Sequence, residues 1–184
     1  MSGCTYFIGC THFGHEAMYR FTRANGEKVR PYASAEEGDA VMAANWNRTV
    51  SKGDKVYVMG DVAFTPKDLK ILESLNGSKV LIKGNHDTLE LSKYAKYFRD
   101  VRAYHKLDNE ILSHIPIHPM SLWRAKKNTS WLNIHAHLHA EEVMLSEGVV
   151  DMRYFSCCVE RIGYTPISID EIRNRVATLH KETL

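Results

Sequence analysis

The stretch "KVLIKGNHD", Lys79–Asp87, decides how the rest of the chain is read. Val80, Leu81 and Ile82 form a short apolar run of the kind that makes a buried strand. The run stops at Gly84 and delivers Asn85, His86 and Asp87. A glycine permits the tight turn, and a Gly-Asn pair alone would be an ordinary loop. The pattern recurs, however. "TYFIG", Thr5–Gly9, runs into Cys10, Thr11 and His12, and "KVYVMG", Lys55–Gly60, runs into Asp61. "EILSHIPI", Glu110–Ile117, carries His114, and "WLNIHAHLH", Trp131–His139, ends on His137 and His139. Five apolar runs thus each present metal-competent side chains at or near their ends. Open α/β sheets gather their sites at the carboxyl ends of strands.

The 184 residues are 44% hydrophobic and 25% charged, which suits one folded domain spanning residues 1–184. A net charge of +2 is too small to argue for a nucleic-acid binder. The four cysteines, Cys4, Cys10, Cys157 and Cys158, form neither a disulfide framework nor a CxxC zinc knuckle. The start of the chain lacks a basic region, and its apolar part is too short for a signal peptide. No apolar stretch is long enough to span a bilayer. A cytoplasmic protein without membrane association, and with no obligate protein partner evident, is expected.

Helical patterns lie between the apolar runs. From Ser34, "SAEEGDAVMAANWNRTV" opens with the spacing of a capping box, Ser34 to Glu37. Val41, Met42, Ala44, Asn45 and Trp46 are expected to form its partly apolar face. From Thr65, "TPKDLKILESLNG" reads as a helix with Thr65 as cap and Pro66 in the first position. Leu69, Leu72 and Leu75 supply its apolar set, and Asn76-Gly77 stops it. "DEIRNRVATLH" reads as a terminal helix. "YFSCCV", Tyr154–Val159, and "YTPISI", Tyr164–Ile169, are expected strands. The alternation predicts an α/β fold, a sandwich of mixed sheets with helices outside.

Each motif has a plainer meaning on its own, since a single histidine near an apolar run is more often a satisfied core residue than a ligand. The ordered set is different. "CTHFGH", Gly60-Asp61, "GNHD" (Gly84–Asp87), "SHIPIH" and "HAHLH" resemble, in order and rough spacing, the motifs of the calcineurin-like metallophosphoesterases, the binuclear metallophosphatases. The resemblance runs from Cys10 to His139, and the closing stretch "YFSCCVERIGYTPISIDEI" is similar to small bacterial and phage members. Two positions depart from the pattern. Cys10 stands where the family has Asp, and Ala136 where it usually has Gly.

The resemblance implies a four-layer αββα sandwich, two mixed β-sheets flanked by helices. It implies two divalent transition metal ions, zinc, iron or manganese. One would be held by Cys10, His12, Asp61 and His139, the other by Asp61, Asn85, His114 and His137, with Asp61 shared. A carboxylate can hold two cations roughly 3.5–4 Å apart. The reaction implied is phosphoester hydrolysis, most simply of a phosphodiester, by in-line attack of a hydroxide bridging the two ions. Asp61, Asn85 and His86 carry it, with His86 as general acid. Asp87 either orients its loop or takes a helix N-cap or turn role, and His15 either backs a ligand or faces the substrate. His135 is expected on the opposite strand face, and His105 and His118 as structural or surface residues. A thiolate at Cys10 keeps the charge of the missing Asp and favours zinc or iron at that site. The alternative is a buried thiol beside a weaker site.

The expected substrate is a phosphoester, a nucleotide being one class. The basic, aromatic loops Arg20–Tyr32 and Trp123–Trp131 could border the cleft or be solvated faces. Two other readings compete. Metallo-β-lactamase-like hydrolases also use H-x-H, but Ala140-Glu141 follows here in place of Asp-His, and "GNHD" stays unexplained. A non-catalytic scaffold of the same fold, as in the retromer subunit, would have no chemical need for His86 and the complete second ligand set. A phosphomonoesterase is the remaining enzymatic alternative.

Overall fold

The computed structural model describes residues 3–23, 25–124 and 129–182. In chain order the strands are β1 (Thr5–Ile8), β2 (Lys55–Val58), β3 (Ser78–Ile82), β4 (Asp100–Arg102), β5 (Tyr104–Leu107), β6 (Glu110–Ser113), β7 (Trp123–Arg124), β8 (Thr129–Ser130), β9 (Leu132–His135), β10 (Met144–Ser146), β11 (Val149–Val150), β12 (Tyr154–Ser156) and β13 (Ile167–Ser168). The helices are α1 (Ala35–Thr49), α2 (Leu91–Tyr94) and α3 (Ile169–Glu182), with 3₁₀ turns at Glu16–Tyr19, Asp68–Ser74 and Pro119–Leu122. β10-β11 and β7-β8 form two-stranded ribbons, and of the two larger sheets one has the order β13-β1-β2-β3-β4 and the other β12-β9-β6-β5. Both are mixed: β13 runs antiparallel to β1 and β5 antiparallel to β6, while the other pairings are parallel. The chain is therefore α/β, two mixed sheets with helices.

One core serves both sheets. Phe7, Ile8, Val58 and Leu81 from the first sheet belong to the same buried cluster as Leu112 and Ile134 from the second. The sheets are also stitched by backbone. Gly9 donates to Cys157 O at 2.8 Å, and Val159 donates to Gly9 O at 3.1 Å. Glycine is needed at position 9 because an added Cβ would lie 2.6 Å from the Ala136 Cβ.

α1 starts where the capping box predicts. Ser34 Oγ accepts from Glu37 N at 3.2 Å, and the Glu37 carboxylate reaches back to Ala33 N at 2.7 Å. Its buried face is Ala35, Gly38, Met42 and Trp46, whereas Ala44 is exposed, contrary to expectation. Full burial of Met42 and Trp46 contributes about 2–3 kcal/mol each.

The segment after Thr65 differs from the expected helix. It forms 3₁₀ turns over Asp68–Ser74, with Thr65 Oγ1 accepting from Asp68 N at 3.3 Å. The i, i+3 spacing of Leu69, Leu72 and Leu75 suits α and 3₁₀ turns alike, and in the 3₁₀ form the three side chains line up on one edge, where all are buried. β6 and β9 are shorter than expected because the chain turns at His114 and Ala136. The last strand shrinks to β13 because Ser168 Oγ accepts from Glu171 N at 3.1 Å and starts α3. No helix among the described residues is long and apolar enough to cross a membrane.

Candidate metal centre

The parallel strands β1, β2 and β3 end side by side, and so do β6 and β9. The segments that follow them meet over the stitch between the sheets. Their backbone is unusual. Seven non-glycine residues among those described have positive φ, and five are expected ligands: Cys10 (52°), His12 (47°), Asp61 (55°), His137 (69°) and His139 (53°). Such conformations cost free energy and concentrate at functional sites. Here they let consecutive motifs aim their side chains into one volume. Gly60 and Gly84 keep that volume open. A Cβ on Gly60 would sit 2.5 Å from His114 Nδ1, and one on Gly84 2.2 Å from Asp61 Oδ1. Ala136 does not compromise the turn, because the left-handed residues are His137 and His139 rather than position 136.

Asp61 lies at the centre. Its Oδ2 is 3.3 Å from His114 Nε2 and 3.8 Å from His12 Nε2, the sharing position expected of it. Asn85 Oδ1 is 2.9 Å from His114 Nε2 and 3.0 Å from His137 Nδ1. Donors bonded at about 2.1 Å to one cation in neighbouring positions stand about 3 Å apart, so this cluster fits an ion. The ligand atoms of Cys10, His12 and His139 lie within 4.8 Å of one another, as do those of Cys10, Asp61 and His114. All seven expected ligands are thus brought together.

Two of the donors, His12 and Asp61, are in the charge states a metal requires, whereas burial is outweighed at His114 by Asp61 and at His139 by Glu160, which raise both pKa values. Both ring nitrogens of His12 are buried without a hydrogen-bond partner. An orphaned buried imidazole is costly unless something accepts its lone pair, and a metal ion would. Burial holds the His12 pKa down to about 3, so the ring is neutral. His114 Nδ1 hydrogen-bonds Met59 O at 2.7 Å, which leaves Nε2 free to face the site. Burial opposes ionisation of Asp61, but His114, the His86 N–H and His12 outweigh it and lower its pKa. Cys10 is different. Burial and then its neighbour Cys158 push its thiol well up, so a bound cation is what would ionise it. Its Sγ already receives the His137 N–H at 3.1 Å and the Cys158 thiol at 3.6 Å.

Asp87 holds the loops rather than capping a helix. Its Oδ2 accepts from Asp61 N at 2.9 Å and Gly84 N at 2.8 Å, and its Oδ1 from Val62 N at 2.9 Å. His86 donates its backbone N–H to Asp61 Oδ1 at 2.8 Å and leaves its ring exposed. Phe64, 36% exposed, lies 4.5 Å from the His15 ring and 5.3 Å from the His86 ring. His15 is therefore on the open side of the site and in neither donor group. His135 is buried away from it, its Nδ1 on Ala136 O at 2.8 Å. His105 stacks on Tyr57, and His118 caps a 3₁₀ turn.

Sequence reasoning missed Arg30 and Glu160. Arg30 belongs to a loop expected to be solvated or to border the cleft, yet its side chain is fully buried beneath the first motif. A charged loop residue carries no local signal of such burial. In that loop Arg20, Arg23 and Lys28 are exposed, and residue 24 lies outside the described residues. So do residues 125–128 of the second basic loop. A cleft of about 320 Å³ opens beside Asn85 and His114, walled by Lys83, Ala103, Ser113 and Ile115.

No family model matches the chain. It is 32% identical over 172 residues to the uncharacterized protein MJ1445 of Methanocaldococcus jannaschii, covering 91% of this chain and 88% of that protein. It is 25% identical over 211 residues to the Gene 66 protein of Mycobacterium phage L5, covering 97% and 96%. Among solved structures it is similar to the protein of unknown function AQ665 from Aquifex aeolicus, with a TM-score of 0.68, 25% identity and coverage of 94% and 98%.

Proposed function

We propose that this chain, which belongs to the same family as the archaeal protein MJ1445, is a cytoplasmic metal-dependent phosphoesterase. Phosphodiesters are its proposed substrates, and the four-layer metallophosphoesterase sandwich is its proposed fold. The observation that carries this reading is the placement of Asp61 Oδ2 between His12 and His114, each at the head of a separate donor set. Cys10, His12, Asp61 and His139 would hold one divalent ion, and Asp61, Asn85, His114 and His137 the other. Zinc, iron or manganese suits the imidazole and carboxylate donors, and the sulfur of Cys10 favours zinc or iron at the first site. Two such ions supply Lewis acidity for a phosphoryl group and lower the pKa of bound water.

The protein's own groups do the rest. His86 sits at the exposed edge, where an imidazole nitrogen can give its proton to the departing alkoxide. Its backbone is pinned to Asp61 Oδ1, so the acid moves with the shared ligand. Asp87 keeps the Asp61 and Gly84 turns in register. His15 and Phe64 form the wall next to His86, where the leaving group would rest. The cleft of about 320 Å³ beside Asn85 is where the second substituent of a diester would lie.

The test is hydrolysis of bis(p-nitrophenyl) phosphate beside p-nitrophenyl phosphate, using apo protein reloaded with Mn²⁺, Zn²⁺ or Fe²⁺. Diester turnover that disappears in Asn85→Ala and His86→Ala is expected. Two bound equivalents of metal with no turnover of either probe would shift the reading to a metal-binding scaffold.

A further inference from the structure

Beneath the candidate site runs a charged network that none of the motifs includes. Arg30 Nε and Glu160 Oε1 form an ion pair at 2.9 Å, their side chains 0% and 1% exposed, across 130 residues of sequence. The remaining guanidinium nitrogens bind backbone: Nη2 donates to Cys10 O at 2.6 Å and Nη1 to Thr11 O at 2.8 Å. The same Glu160 Oε1 lies 3.3 Å from His139 Nδ1. A buried ion pair is a poor stabilising device, because desolvation offsets its attraction and apolar replacements often do better. Its presence under a donor cluster calls for another account. Both structures it holds are strained. Cys10 carries one of the two gripped carbonyls and His12 follows the other, and they and His139 have left-handed backbones.

We infer that Glu160, held in place by Arg30, is the positioning residue of the first cation site. The carboxylate accepts the Nδ1–H of His139, which fixes the tautomer and leaves Nε2 as the free donor. The His139 ring then lies stacked against His12, with centroids 5.2 Å apart. Arg30 completes the device from the other side by holding the Cys10–Thr11 turn. One buried pair thereby joins the first motif to the last and sets the geometry of Cys10, His12 and His139 before any ion arrives. The second donor set, Asp61, Asn85, His114 and His137, has its main support in Met59 O and Asp87 and meets this pair only indirectly, through the His137 N–H on Cys10 Sγ. The inference rests on the metal-centre reading, though not on the identity of the substrate.

Calorimetric titration of the apo protein with Co²⁺ tests it, with Asn85→Ala assigning the second site. Glu160→Gln keeps the shape and loses the charge. It should weaken the first site about 10–100-fold, the range for lost carboxylate–histidine partners, and weaken the second much less. Glu160→Asp should recover part of the loss. Unchanged first-site affinity, or equal weakening of both sites, overturns the inference. Wild-type protein that takes up no cobalt removes the metal-centre reading and this inference with it. Should Glu160→Gln not fold, ¹⁵N NMR of the wild-type His139 ring decides: Nδ1-protonated is expected, and Nε2-protonated overturns the assignment.

Discussion

Asp87 is where the architecture can be tested most sharply without any substrate. Its carboxylate is 1% exposed and takes three backbone N–H groups, from Asp61, Val62 and Gly84, at 2.8–2.9 Å. Asp87→Ala leaves all three donors buried and unpaired. Each hydrogen bond to a charged group is worth about 1.5–3 kcal/mol, but neighbouring losses are not additive and the cavity relaxes. A total of about 3–5 kcal/mol is expected, a fall in Tm on the order of 10 °C for a chain of this size. Asp87→Asn has the same shape. Its oxygen can serve the Asp61 and Gly84 donors, while its NH₂ must face Val62 N–H, so it should cost about half as much. The assay is urea unfolding of metal-free protein, followed by the fluorescence of buried Trp46. An Ala variant that loses under 1 kcal/mol would refute the reasoning. So would an Asn variant as unstable as Ala, because the two acceptor bonds it keeps, to Asp61 N and Gly84 N, would then contribute nothing.

Two other predictions concern charge and sulfur. Burial raises the Asp39 pKa to about 6, so its stability contribution is fully present below the unfolded value of 3.8 and is lost as pH rises through about 6. Asp39→Asn, which keeps the acceptor for Gly14 N, should therefore raise Tm at pH 8 by about 2–4 °C. That corresponds to about 1 kcal/mol once solvent screening is discounted, and the gain should vanish by pH 4; an equal gain at both pH values would show that ionisation is not its source. Cys10→Asp should move the first site's preference from Zn²⁺ or Fe²⁺ toward Mn²⁺ and remove the sensitivity of metal content to peroxide. Metal analysis showing the same preference and the same peroxide response in both proteins would remove Cys10 from the ligand set.

The candidate ligands could be read from the chain because each is announced locally. An apolar run, a glycine or tight turn, and a polar donor fall within a few residues at Cys10, Asp61, Asn85 and His137. Strand existence was legible for the same reason, and the structure trims ends where His114 and Ala136 turn the chain. What stayed hidden depends on distance. Nothing near Arg30 signals that its partner is Glu160, and nothing near Glu160 signals that it will meet His139. β4 and β5 are short and rich in polar residues, so they lack a burial pattern to read. The Leu69, Leu72, Leu75 spacing was visible, but a threefold period fits either helix type until packing chooses.

The donors come from both halves of the sandwich. Cys10, His12, Asp61 and Asn85 follow strands of one sheet, and His114, His137 and His139 follow strands of the other. A chain in which only one sheet has formed would therefore lack a complete set of donors for either proposed ion. Cations bound at the proposed centre would select the finished molecule without guiding its assembly. Divalent metal should leave the refolding rate nearly untouched and act on the escape from the native state, slowing unfolding in proportion to the occupancy lost when the sheets part.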